Sequence, residues 1–206
     1  MKKLFLASNA YSTLDKVLPL LPNKPECLNL AFISTAANPY KEKSWMYKDR
    51  NKLIEMGFNV IDIDIEGKTE MNLRKLLTNI DVLFVSGGNT FFLLEKTIES
   101  GFNKLAKELI HEGRVYIGSS AGSVLVCPTI EFVDGLDDPK IAPSLTSYKG
   151  LNEVDFLIMP HYGDEEYKEA YKTILKKWKN KGYDLKLLMN NQALIINGDR
   201  QELVEV

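Results

Sequence analysis

The stretch Asp81–Thr90, DVLFVSGGNT, carries an unbroken apolar run that stops at two glycines and an asparagine. A strand with one wet face alternates apolar and polar residues, whereas a continuous run marks a strand covered on both faces, as parallel strands are. This strand opens into a loop at its C-terminal end, and Asn89 or Thr90 is placed to cap a following helix. Downstream, helical periodicity runs up to His111 and a turn falls at Gly113, and RVYIG (Arg114–Gly118) is a second buried strand. Upstream, KLFLAS (Lys3–Ser8), NLAFIST (Asn29–Thr35) and the alternating NVIDIDI (Asn59–Ile65) read as three more. A helix near Leu14–Leu21, ended by prolines, and another over Lys41–Met56, stopping at Gly57, separate them.

Short apolar runs that alternate with helical segments predict an α/β fold, with helices packed over a mostly parallel central sheet. Further along, EFVDGLDDPKIAPS (Glu131–Ser144) reads as a long surface loop and VDFLIMPHYG (Val154–Gly163) as a strand with a polar end. A charged amphipathic helix follows over Asp164–Lys181, and Ala193–Val206 reads as a hairpin around the Asn197-Gly198 turn. No repeat or linker interrupts the chain, so one domain is expected over residues 1–206.

With 45% hydrophobic and 26% charged residues, the composition is that of an ordinary soluble globular chain. A net charge of −2 predicts no strongly basic face and hence no nucleic-acid partner. The run Lys176, Lys177, Lys179, Lys181 reads as a solvated face complementing a helix C-terminus. The apolar part of MKKLFLASNAYS is too short for a signal peptide, and no segment approaches the roughly 18 apolar residues of a membrane span. Cys27 and Cys127 have no metal-ligand spacing. A cytoplasmic setting, without membrane association, is the expectation.

Ligands of open α/β sheets bind beyond the carboxyl ends of the strands. Three polar motifs fall there: SGGN, GSSAG and MPHY. Gly118-Ser119-Ser120-Ala121-Gly122 fits G-x-S-x-G, the spacing of a nucleophile elbow, in which small residues permit a sharp strand-to-helix turn. By itself the pentapeptide fits a serine cap in a tight turn about as well. Ser119 and Ser123 read as packing or capping residues. A serine needs a base, and the chain has only two histidines. His111 ends a helix, where its charge would complement the dipole, whereas His161 follows a buried strand on the same edge as Ser120 and is the expected base. Asp134, Asp137 and Asp138 are candidate carboxylates for the third position. Gly88 and Ala121 are candidate backbone donors to an oxyanion.

SGGNTFFLL, GSSAGSVLVCPTI and MPHY, in this order and spacing, resemble the peptidase E family of serine peptidases, the aspartyl dipeptidases. The resemblance covers most of the chain. It implies a class I glutamine amidotransferase-like (flavodoxin-like) three-layer sandwich, with Ser120 as nucleophile, His161 as base, and Gly88 with Ala121 as oxyanion donors. It also implies Asp137, in Asp137-Asp138-Pro139, as the triad acid; the longer loop here keeps Asp138 as the alternative. Asn89 and Lys168 are the expected substrate-binding side chains.

One departure concerns substrate. Relatives hold an acidic side chain with an arginine in the helix after the histidine, and GDEEYKEAYKTILKKWKNK has none. Lys168 or Lys172 would have to substitute, without the guanidinium fork. Tyr167, Tyr171 and Ile174 on this helix read as core. The expected function is a serine peptidase acting on small peptides through an acyl-enzyme, as monomer or homodimer, with no metal or organic cofactor. A silent ligand-binding module of the same fold is the alternative. An α/β-hydrolase esterase is disfavoured by the short interval from Ser120 to His161.

Overall fold

A computed structural model describes residues 1–178 and 181–206. Five adjacent parallel strands make up most of the main sheet: β1 (Lys3–Ala7), β2 (Asn29–Ile33), β3 (Asn59–Ile63), β4 (Val82–Val85) and β5 (Val115–Ser119). Two three-residue strands, β6 (Leu157–Met159) and β7 (Leu185–Leu187), form a separate parallel pair. The hairpin β8 (Gln192–Asn197) and β9 (Arg200–Glu205) completes a seven-stranded sheet of order β3-β2-β4-β5-β1-β8-β9.

Alternate residues of each strand point to opposite faces, so the sheet divides two cores. Leu4, Leu6, Leu83, Val85 and Tyr116 face one. Phe5, Phe32, Phe84 and Ile117 face the other, aligned in register across four strands, with Phe32 and Phe84 stacked at 4.9 Å between ring centroids. Each such buried side chain contributes about 1.5–3 kcal/mol. Helices α1 (Ala10–Thr13) and α2 (Ser44–Glu55) cover the aromatic face through Ala10, Met46 and Leu53. Helices α3 (Glu70–Leu76), α4 (Thr90–Glu99), α5 (Phe102–His111), α6 (Ala121–Leu125) and α7 (Lys168–Trp178) contribute to the other core. The result is the expected α/β architecture, a mostly parallel sheet between two helical layers. Among the described residues, no helix is long and apolar enough to cross a membrane.

Four details differ from the sequence reading. The helix expected near Leu14–Leu21 is a 3-10 helix over Leu14–Leu20 that contains Pro19, continuing from α1. Helix α3 has no counterpart in that reading, although a capping box between Thr69 and Asn72 marks its start. The helix expected over Asp164–Lys181 starts as a 3-10 turn, Glu165–Tyr167, before α7; Lys179 lies outside the described residues. Within Val154–Gly163 only Leu157–Met159 is strand, and it does not join the main sheet. The free side of β1 is taken by β8, residue for residue from Lys3↔Asn197 to Ala7↔Ala193, so β6 pairs with β7 instead.

Candidate active site

At the end of β5 the chain turns abruptly into α6, and Ser120 sits at the turn with φ 48° and ψ −108°. Positive φ in a residue with a Cβ costs on the order of 1–3 kcal/mol and persists only where surrounding contacts over-determine it. Here the Ser120 N–H donates to Ala7 O at 3.0 Å, and Ser120 O accepts from Ser123 N and Val124 N at 2.8 and 3.0 Å. Gly118 and Gly122 leave room for that packing. A Cβ on Gly118 would lie 2.6 Å from Ser123 N, and one on Gly122 would collide with the Val85 carbonyl of β4. The neighbouring serines have structural duties: Ser123 Oγ lies 2.7 Å from Ala7 O, and Ser119 Oγ accepts from Ala10 N at 3.2 Å.

The loop after β4 runs alongside the elbow. A Cβ on Gly87 would touch Ser120 Cβ at 3.3 Å, and Gly88, at φ 141°, faces the Ala36 carbonyl so closely that no side chain fits. Among the described residues, neither the Gly88 N–H nor the Ala121 N–H has a hydrogen-bond acceptor.

His161 arrives from the other sheet. Its Nε2 is 2.8 Å from Ser120 Oγ. The residue has φ 59°, and its N–H donates to Ser8 Oγ at 2.7 Å. Because β6 and β7 are parallel, both present their carboxyl ends on the same side. Leu188 N donates to Met159 O and Tyr162 N to Leu188 O, each at 2.9 Å, stitching the two exits together. This brings Asn190 behind the imidazole, with Oδ1 2.7 Å from His161 Nδ1. Asn190 Nδ2 in turn donates to Asp164, at 3.0 Å to Oδ1 and 2.9 Å to Oδ2.

Asp137 therefore does not occupy the position behind the histidine that the family resemblance implied for it. Its Oδ2 accepts from Thr90 N at 2.8 Å, at the start of α4. The loop that carries it is fastened to that helix terminus, because Asn89 Nδ2 donates to Asp138 O at 3.1 Å. Asp137 is half-buried and faces the cavity. Burial raises its pKa, with the Thr90 hydrogen bonds and the His161 charge pulling the other way. Asp138 is no substitute, since its carboxylate accepts from Lys140 N at 3.0 Å in its own turn, and Asp134 is exposed.

The two expected substrate-binding side chains are also elsewhere. Asn89 is fully buried and caps α4 by accepting from Phe92 N at 2.9 Å, so its amide is spent on the scaffold. Lys168 Nζ pairs with Glu165 at 3.0 Å and Lys172 with Glu169 at 2.6 Å, both on the exposed side of their helix. His111 is likewise remote, its Nε2 2.9 Å from the buried Glu153 carboxylate.

A cavity of about 450 Å³ opens over Ser120 and His161. Its lining includes Gly87, Gly88, Thr90 and Asp137, then Tyr40, Trp45 and Lys48, and Tyr167 and Tyr171 of the segment after His161. Tyr171 also packs into the core, its hydroxyl donating to Pro160 O at 2.7 Å, and Ile174 is buried as expected. Sequence reasoning missed Asn190, Asp164, Ser8 and the Tyr40–Lys48 wall. A signal for Asn190 existed: LKLL followed by MNN is another apolar run with a polar end. The strand is only three residues long, however, and its partner is distant in sequence.

The family model for peptidase family S51 matches residues 4–204. An uncharacterised peptidase of Pasteurella multocida (strain Pm70) is 32% identical over 199 residues, covering 97% of this chain and 95% of that one. An uncharacterised peptidase of Listeria monocytogenes serovar 1/2a (strain EGD-e) is 33% identical over 201 residues, covering 96% of each. The peptidase E of Nostoc sp. (strain PCC 7120) is 34% identical over 133 residues, 65% of this chain and 52% of that one. The crystal structure of a candidate peptidase E from Listeria monocytogenes EGD-e superposes with a TM-score of 0.92 at 31% identity, covering 100% and 99% of the two chains. With the family match spanning nearly the whole sequence and the fold shared to its ends, the chain belongs to peptidase family S51 and is a serine-type peptidase.

Proposed function

We propose that this peptidase hydrolyses short peptides from a free N-terminus through an acyl-enzyme on Ser120, with His161 as general base. The observation that carries this reading is the 2.8 Å contact from His161 Nε2 to a serine hydroxyl held on a strained elbow. His161 takes the Ser120 proton as Oγ attacks the scissile carbonyl. The N–H groups of Gly88 and Ala121, which have no protein acceptor among the described residues, take the developing oxyanion. His161 then hands its proton to the leaving amine, whose C–N bond breaks. Water, deprotonated by the same imidazole, attacks the ester and releases the acid and Ser120.

The cavity supports a substrate that enters amine first. Asp137 is a half-buried carboxylate with no ion-pair partner among the described residues, and it lines the cavity with Ser120. A buried carboxylate without a counter-charge is costly, and a substrate ammonium would supply one. Lys48 is the one lysine or arginine lining the cavity among the described residues, a point charge in place of a guanidinium fork. An N-terminal aspartate is therefore accepted without being required, and uncharged first residues are cleaved as well. A dipeptide panel varied at the first residue tests this: Asp-Leu and its neutral counterparts are expected within about tenfold of one another in kcat/KM. Hydrolysis confined to Asp-Leu contradicts the broad specificity, and hydrolysis of none contradicts the dipeptidase reading.

A further inference from the structure

We propose that Asp164, acting through the Asn190 amide, sets the tautomer of His161, and that this pair of positioning residues replaces a carboxylate in direct contact with the imidazole. The inference rests on Ser120 and His161 working as nucleophile and base, and it concerns what keeps His161 a base. An ionised carboxylate can only accept hydrogen bonds, so the side of Asn190 that faces Asp164, at 3.0 and 2.9 Å, must be its NH2 group. The amide oxygen is then turned toward His161 Nδ1, 2.7 Å away. An amide oxygen likewise only accepts, so Nδ1 must carry the proton and Nε2 keeps its lone pair for the Ser120 hydroxyl.

Ser8 favours the same orientation, but only through a long contact that does not hold the amide without Asp164. Its oxygen accepts from His161 N at 2.7 Å, which leaves its own proton to point at Asn190 Oδ1, 3.4 Å away. An Asn190 turned the other way would set its NH2 against Nδ1 and leave its oxygen facing the Asp164 carboxylate. The imidazole would then have to carry its proton on Nε2, where it cannot take one from serine. Three other groups bear on the ring: Asp137 across the cavity, Asp164 behind Asn190, and the Tyr167 ring at 6.0 Å between centroids. Asp164 alone is joined to it by hydrogen bonds, through Asn190.

The test is a reversal of the pair, read on the full-length protein by dipeptide hydrolysis and by 15N NMR of the two imidazoles, with His111→Gln assigning His161. Asp164→Asn removes the group that chooses the amide orientation. It is expected to lower kcat on the order of 10²-fold with KM little changed, and to move the His161 proton partly to Nε2. Asp164→Asn combined with Asn190→Asp returns an acceptor to Nδ1, now a carboxylate held by the new amide. This variant is expected to recover most of kcat and to move the acidic limb of kcat/KM to higher pH than in the wild type, because a touching negative charge favours the imidazolium. A wild-type His161 with its proton on Nε2 would overturn the proposal. So would an Asp164→Asn variant whose tautomer and kcat are both unchanged, or a folded reversed pair with no recovery. Hydrolysis that survives in Ser120→Ala would sink the nucleophile reading instead, while the NMR tautomer would still decide the role of Asp164.

Discussion

Ser120 and His161 meet at 2.8 Å, yet they are carried by different kinds of structure. The serine stands between strands of a seven-stranded sheet, and the groups that fix its turn lie within Tyr116–Val124 or on the adjoining ends of β1 and β4. The histidine leaves a three-residue strand outside that sheet and is held from Ser8, Leu188 and Asn190, all far away in sequence. The turn that presents the nucleophile is thus written in consecutive residues, although its seat on β1 and β4 is tertiary, whereas the groups that hold the N–H and the imidazole of the base come from outside its own segment. The first tolerates little change in volume, and the second depends on hydrogen bonds that single substitutions remove.

The largest effect that would separate the two arms is the loss of the base. His161→Ala is expected to lower kcat by about 10³-fold while leaving the thermal midpoint close to wild type, since the imidazole serves the site and not the core. Steady-state kinetics beside a thermal melt check this, and a variant that unfolds would show the histidine arm to be part of the scaffold. Next comes Asp137→Asn. If its carboxylate receives the substrate amine, KM for a dipeptide rises about 10- to 100-fold with kcat nearly kept, and the N-acetylated dipeptide is unaffected. A fall in kcat at constant KM would instead tie Asp137 to the imidazole, as the family resemblance first implied.

On the serine side, Gly122→Ala drives a methyl group into the Val85 carbonyl, and the tight elbow is expected to lose about 1–3 kcal/mol of stability. Urea unfolding measures it, and an unchanged midpoint would mean that the elbow has slack. An effect of similar size, seen only as a pH dependence, concerns Asp49, beneath the elbow, whose carboxylate accepts from Tyr11 N at 2.8 Å. Burial pushes its pKa from 3.8 up to about 7, against the pull of Ser119 and the Tyr11 N–H. The folded state then keeps a proton that the unfolded chain has lost, so this group takes stability away as pH rises from about 4 to 7. Asp49→Asn is expected to reduce the wild-type loss between pH 5 and pH 8 by about 2 kcal/mol, read by urea titration at both values. An identical loss in the variant contradicts it.

The same contrast explains what could be read from the chain alone. DVLFV and RVYIG announce buried parallel strands because burial on both faces is written into consecutive residues, and the G-x-S-x-G turn is equally local. Residues 154–163 carry a strand signal too, but nothing in them tells that β8 will occupy the free side of β1 and send β6 to another partner. Asn190 reaches His161 only through that pairing, so the apolar run before it could be read while its partner could not. Asp137 was misplaced for a related reason. An Asp-Asp-Pro loop reads the same whether its carboxylate turns to an imidazole or to a helix N-terminus, and Asn89 decides the matter by holding the loop at Asp138. Lys168 fell on the wrong side of its helix, where Glu165, three residues before it, takes its charge.

The central claim is that Ser120 is the group that becomes acylated. The direct measurement is intact-mass and peptide-mapping analysis after treatment with a serine-directed fluorophosphonate, run beside dipeptide hydrolysis. A single adduct on Ser120, abolished in Ser120→Ala and strongly slowed in His161→Ala, with hydrolysis lost in step, is the expected result. An adduct on another residue, or full hydrolysis in Ser120→Ala, would contradict it.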